Sequence, residues 1–296
     1  MPAISSLGLL PALRHYLKFL VPCVGPGLKV SGSVGLLMLL LLPSTVKADE
    51  EWIFLPPSPL FQPLIDDPRE PSTSLIVHTN ENRYEGAAGA TAEFFRYLPP
   101  DQTKWAIGLF GSSDILFTQM GDNFPIKASD WYIGLFFSES YGAFASRIEY
   151  EHQSAHLGDS LQGIQVPIIY NGENVNLTES FQPWEDIRFA VQIEKWTSGL
   201  PEGKKFSTSI EGELYSPGID IDGTFMRGYA AANLRWKDEA GGALDQNFEV
   251  GVQWKFKKEE TRDLRVAFVY YNGNSQFGQL YLNHDEHMGI GIYFDP

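Results

Sequence analysis

The sequence predicts an all-β fold, an antiparallel transmembrane β-barrel of about ten to twelve strands with an N-terminal proline-rich arm. Three observations predict it. Apolar and polar residues alternate at period two in run after run beyond residue 74. Most runs are about nine to eleven residues long, the length a tilted strand needs to cross a bilayer. Aromatic residues tend to close the runs, as at Trp105, Trp131, Trp184, Trp196 and Trp236.

Taken in order, residues 1–48 read as a signal peptide or leader. Arg14, Lys18 and Lys29 supply positive charge, Val34 to Leu42 is a short apolar run, and Val46-Lys-Ala48 resembles a cleavage site before Asp49. The apolar run falls well short of the roughly 20 residues of a spanning helix. Beyond Ala48 the chain keeps 18 of its 22 basic residues and all 37 acidic ones, a charge of 18 minus 37, or −19. Such a chain makes a poor nucleic-acid binder, because phosphates need Lys and Arg. The single cysteine, Cys23, lies in the leader, so the exported chain has neither disulfide nor thiolate site. Nothing from residue 49 onward is apolar for long enough to form a helical span. Export without such a span leaves a periplasmic, secreted or outer-membrane barrel protein; the barrel reading selects the outer membrane, with the lipid bilayer and lipopolysaccharide as surroundings.

Residues 49–73 form the proline-rich arm, read as periplasmic. Pro56, Pro57, Pro59, Pro63, Pro68 and Pro71 rule out a helix interior or a central strand. Leu60, Phe61, Leu64 and Ile65 suggest that the arm docks, either on the barrel mouth or on a periplasmic partner.

Residues 74–296 form the barrel. Trp131, Ile133, Leu135 and Phe137 oppose Asp130, Gly134 and Ser138; Ile187, Phe189, Val191 and Ile193 oppose Arg188, Ala190, Gln192 and Glu194. Phe206, Thr208, Ile210 and Leu214 oppose Ser207, Ser209, Glu211 and Glu213; similar runs follow at 226–236, 248–256 and 264–271. A soluble barrel also alternates, but it rarely sends bulky residues outward on every strand while keeping Arg and Glu inside. A membrane barrel does so by construction. The expected inner face carries Arg147, Glu149, Arg188, Glu194, Arg227 and Arg235, as a channel lining or as a salt-bridged plug. Gly158 to Trp184 lacks clear alternation and reads as the longest loop.

The stretch from Phe144 to Asp159 carries the candidate chemistry. Phe144, Ser146, Ile148, Tyr150, His152, Ser154 and His156 share one strand face, opposite Ala145, Arg147, Glu149, Glu151 and Gln153. His152 and His156 are about 13 Å apart along an extended strand, too far to share one ion. His284-Asp-Glu-His287 is the better local cluster and reads as a solvated loop. No metal or other cofactor is expected.

Phe61-Gln-Pro-Leu-Ile-Asp-Asp-Pro-Arg-Glu-Pro71, His152-Gln-Ser-Ala-His-Leu-Gly-Asp159, Tyr270 to Gln279 and Gly289 to Phe294 together resemble a Gram-negative outer-membrane family, catalogued as domain of unknown function 1207. That resemblance implies an exported bacterial barrel and no assigned activity. A narrower likeness concerns His152-Gln-Ser154, which is similar to the His-x-Ser motif on a lipid-facing strand of outer-membrane phospholipase A and lipid A deacylase. It implies His152 as general base to Ser154 in lipid-ester hydrolysis, with His156 and Asp159 as the remaining candidates. Three roles follow as expectations: a structural or interaction barrel, a lipid esterase, and a small channel.

Overall fold

The computed structural model describes residues 51–79, 82–100, 103–202, 205–255 and 263–295, so the leader at 1–48 lies outside the described residues. Its strands are β1 (Glu51–Phe54), β2 (Thr73–His78), β3 (Arg83–Leu98), β4 (Lys104–Thr118), β5 (Ile126–Tyr141), β6 (Phe144–Leu157) and β7 (Tyr170–Trp184). There follow β8 (Ile187–Leu200), β9 (Phe206–Tyr215), β10 (Ile219–Ile221), β11 (Thr224–Lys237), β12 (Ala243–Lys255), β13 (Asp263–Asn274) and β14 (His284–Asp295). Each long strand pairs antiparallel with its neighbours, and β14 closes onto β2 through Ile290↔Val77 and Ile292↔Leu75. Because β3 pairs with both β2 and β4, the sheet is a closed barrel, with twelve wall strands among the described residues. Short β10 is a spur on β11.

Closure leaves no free sheet edge, and period-two side chains divide into two populations. Outward residues are apolar and exposed: Ile133 at 65%, Val250 at 59%, Ile290 at 56% and Leu135 at 54%. Inward residues are charged and buried: Glu194 at 1%, Arg147 and Arg265 at 3%. In water this arrangement would leave most of the hydrophobic surface unsatisfied. In a bilayer the same arrangement is stable, because lipid covers the outside and paired charges fill the inside. Arg147, Glu149, Arg188, Glu194 and Arg235 are buried inward, as the alternation predicts. One aromatic departs from expectation. Trp196 is buried at 9%, unlike exposed Trp105, Trp131, Trp184 and Trp236, because its register places it on the inner face of β8.

Two further expectations change. The loop expected from Gly158 to Trp184 ends at residue 169, and β7 fills the rest. Asn171, Glu173 and Glu179 point outward while Asn174, Asn176, Thr178 and Ser180 point inward. Polar Asn171, Glu173 and Glu179 interrupt outward Val175, Leu177 and Phe181, so the hydrophobic pattern is diluted although the ladders to β6 and β8 persist. Likewise His284 to His287 is strand rather than solvated loop, with His287 inward and His284 outward.

Near the same end, Gly172 of β7 faces Gly199 of β8. A Cβ on Gly172 would lie 2.3 Å from the Ser198 carbonyl oxygen and 2.6 Å from Gly199 Cα, so only hydrogen fits. Gly172→Val is expected to lower unfolding stability by about 1–3 kcal/mol through overpacking, read as an earlier urea midpoint of the refolded barrel.

One side of the barrel carries the two-residue turns 142–143 and 185–186, together with the longer connection 216–223 that holds β10. On the other side run the longest loops, 158–169 and 275–283. These are the short-turn end and the long-loop end.

Candidate functional site

The barrel interior is occupied by the chain's own proline-rich segment. β1 lies on β3 at Phe54↔Phe95, and β2 lies on the same edge of β3 at Thr73↔Ala88. Between them, residues 55–72 leave the wall and run through the lumen. The segment expected as a periplasmic arm is therefore inside: Phe61, Leu64, Asp66, Asp67 and Glu70 are all buried. The cause lies in its composition. Prolines deny it a ladder, but they also remove N–H groups that would need partners in a buried setting. Its charges find complements only on the inner wall.

Those complements are specific. Arg147 donates two hydrogen bonds to Glu70, both at 2.7 Å, and its guanidinium stacks 4.5 Å from the centre of the Phe61 ring. Arg235 Nη2 donates to both oxygens of Asp67 at 3.0 Å. Arg69 reaches Glu151 at 3.0 Å and also pairs with Glu194. Asn247 Nδ2 donates to Asp66 Oδ1 at 2.7 Å. The segment's backbone is held too: Arg188 donates to the carbonyls of Gln62 and Pro63 at 2.9 and 2.6 Å, while Ile65 and Asp66 donate N–H groups to Glu213 and Glu211, both at 3.1 Å. Burying a charge is costly unless it is paired and hydrogen-bonded; Asp67, Arg69 and Glu70 meet both conditions, and Asp66 is hydrogen-bonded to the neutral Asn247. Around this plug remains a cavity of about 430 Å³, lined in part by Ile65, Arg69, Glu85, Asp114, Tyr132 and His287.

A second cluster sits on the outer face, where β6 and β7 approach the long-loop end. His152 is outward and half-exposed, and its Nδ1 lies 3.2 Å from Glu173 Oε1 of the paired strand. Glu173 Oε2 in turn accepts a hydrogen bond from Ser198 Oγ on β8. A register shift at Glu173/Asn174 lets Thr197 Oγ1 donate to the Glu173 carbonyl at 3.1 Å. Ser154 shares the outer face with His152 two residues away, opposite Asn171. Among the described residues no hydrogen bond joins Ser154 to His152. His156 is outward and exposed at the strand end, and Asp159 lies in the following turn, where it accepts from Gln162 at 2.6 Å. The structure thus gathers His152 and Ser154 on one face but leaves His156 and Asp159 outside the pair. The orienting carboxylate that sequence reasoning missed is Glu173, which only the β6–β7 register reveals.

The model of the family described as a protein of unknown function (DUF1207) matches residues 44–295, nearly all of the barrel and its plug. The chain belongs to the DUF1207 family. No curated protein matches this DUF1207 member. Among solved structures it is similar to a KdgM porin, at 9% identity and TM-score 0.41, over 76% of this chain and 98% of that one. It is also similar to outer membrane phospholipase A from Escherichia coli, at 11% identity and TM-score 0.46, over 77% of this chain and 93% of that one. The beta domain of the Bordetella autotransporter BrkA follows at 11% identity and TM-score 0.38, over 76% and 96%.

Proposed function

We propose that this DUF1207 member is a sealed outer-membrane barrel with a structural or interaction role, closed by its own N-terminal segment. The supporting observation is the lumen, where Asp66, Asp67, Arg69 and Glu70 are each paired to a different wall residue. A passive channel needs a continuous water path, and this chain spends its interior on ion pairs instead. In this reading the leader exports the chain in a Gram-negative cell. Lipid and lipopolysaccharide surround the apolar belt, and the long-loop end faces outside, as loop length dictates for such barrels. β1, which precedes the plug, pairs with the last residues of β3 and then lies toward the periplasm, where a partner has access. Planar-bilayer recording tests the proposal. The refolded intact protein is expected to give no conductance steps, and steady open-channel current from it would overturn the sealed reading.

A second reading rests on one observation, the His152–Glu173 contact. A carboxylate on imidazole Nδ1 leaves Nε2 as the base, the arrangement that activates a serine nucleophile. Ser154, on the same lipid-facing side, is the nucleophile in this reading, and a lipid ester at the rim is the substrate. Lipid-ester hydrolysis in mixed micelles, with fluorophosphonate labelling, checks it. Activity and label are expected to be lost together in Ser154→Ala, and to fall by about 10²–10⁴-fold in His152→Ala, the range of a lost general base. A folded wild type without activity or label would dismiss the hydrolase and leave the cluster as a polar rim.

A further inference from the structure

Three neighbouring strands each send a metal-capable side chain to one point on the inner wall near the long-loop end. His78 closes β2, Glu85 lies near the start of β3, and His287 lies near the start of β14. One ligand atom from each falls within 4.8 Å of the others. His78 Nε2 is 3.3 Å and His287 Nε2 is 4.0 Å from Glu85 Oε1. Donors around a tetrahedral zinc ion, bonded at about 2.0–2.1 Å, stand roughly 3.3–3.5 Å from one another. The His78–Glu85 pair already stands at that spacing, and the other donors, within 4.8 Å, would have to draw in toward the ion.

We propose that His78, Glu85 and His287 form a binding site for a divalent ion of the zinc class. Two features beyond clustering point to a ligand. The His78 side chain has no exposed surface; its Nε2 faces Glu85 Oε1 at 3.3 Å without hydrogen-bond geometry, and its Nδ1 makes no hydrogen bond. A buried ring so poorly satisfied is costly, and a metal bond at Nε2 would lower that cost. His287 is already oriented as a ligand: its Nδ1 lies 3.1 Å from Asp285 Oδ1. A carboxylate at Nδ1 with Nε2 turned toward Glu85 is the carboxylate–histidine arrangement that supports metal ligands.

Arg83 is the group that opposes a cation here. It donates to Asp285 at 2.6 and 2.8 Å and also contacts Glu85 Oε1. Two carboxylates, Glu85 and Asp285, stand against this one guanidinium, so the fixed charges around the site sum to negative. Arg83 fixes Asp285, which in turn fixes His287. Opposite His78 stands Gly289, where a Cβ would lie 2.7 Å from the Val77 carbonyl oxygen, so no side chain enters from β14 at that level. Glu85 and His287 border the lumen cavity, so a fourth ligand can be water. Three protein donors with one open position is the coordination typical of such ions. The site joins β2 and β3 to β14, the seam where the first and last wall strands meet.

The refolded, chelator-treated full barrel would be titrated with Zn²⁺ by calorimetry and with Co²⁺ by visible absorption. One equivalent is expected to bind, with the intense d–d bands of tetrahedral Co²⁺ and a rise in the unfolding midpoint that chelator reverses. His78→Ala and His287→Ala are each expected to weaken binding at least 100-fold. Asp285→Asn is expected to weaken it about 10–100-fold, as loss of an outer-shell partner does. His284→Ala, which points outward on the same strand, should leave it unchanged. A folded wild type that binds neither ion overturns the site, whatever the variants do. So does binding that survives His78→Ala and His287→Ala together, since the ion would then sit elsewhere.

Discussion

Removing the plug is expected to convert a silent barrel into a conducting one. Phe54 and Thr73 pair with Phe95 and Ala88 of β3, seven positions apart (95 minus 88). That is about 23 Å of strand, so a Gly/Ser linker of about six residues in place of 55–72 would let β1 run on into β2. Twelve strands enclose a wider interior than the eight that side chains alone fill. Without Phe61, Leu64 and the Asp66–Glu70 stretch, water gains a path through it. Single-channel recording should then show discrete steps where the intact chain gives none. The exposed wall would carry Glu149, Glu151, Glu194, Glu211, Glu213 and Glu249 against Arg147, Arg188, Arg235 and Arg265. The steps should therefore favour cations. A folded but silent deletion would mean that the wall side chains close the lumen unaided, and the plug would lose its assigned part.

Arg147→Ala is expected to destabilise the barrel by about 3–5 kcal/mol, because it leaves buried carboxylates unpaired. Arg147 meets Glu70 through two bonds and Glu149 at 3.0 Å, and both side chains are almost wholly shielded. Equilibrium unfolding in urea or guanidinium, with tryptophan fluorescence as the probe, reads the loss. Glu70→Ala with Arg147→Ala should cost clearly less than the sum of the two single changes, since the second removes a charge that the first has stranded. Additive losses would show that the pair does not act as a unit and that the plug is held chiefly by its backbone contacts.

The barrel itself was legible because the chain repeats one instruction. Each run such as Ile187 to Glu194 says which face meets lipid, and closure follows from having no polar edge strand to leave over. β7 was harder to read, since Asn171, Glu173 and Glu179 leave only Val175, Leu177 and Phe181 to mark its outer face, and backbone pairing with β6 and β8 identifies the strand. The plug's charges were visible in Asp66-Asp-Pro-Arg-Glu70, yet their destination was not. Local sequence states that a charge exists but not that its partner lies across a lumen. The site residues show the same limit. His152 and Ser154 share a face by arithmetic alone, whereas Glu173 and the meeting of His78 with His287 depend on cross-strand register, which no single run encodes.

The plug is an internal loop, tied to β3 at both ends, and this shapes how the molecule can come into being. Asp66 bonds to Glu211, 145 residues onward, and to Asn247, 181 onward; Ile65 bonds to Arg265, 200 onward. Contacts of such sequence separation form late and slowly. Until β9, β12 and β13 have arrived, the loop's carboxylates have nowhere dry to go and stay solvated. Once the β14–β2 ladder forms, the loop can reach those partners only by folding in through a mouth of the closed barrel. A half-assembled barrel therefore still holds its own stopper in water.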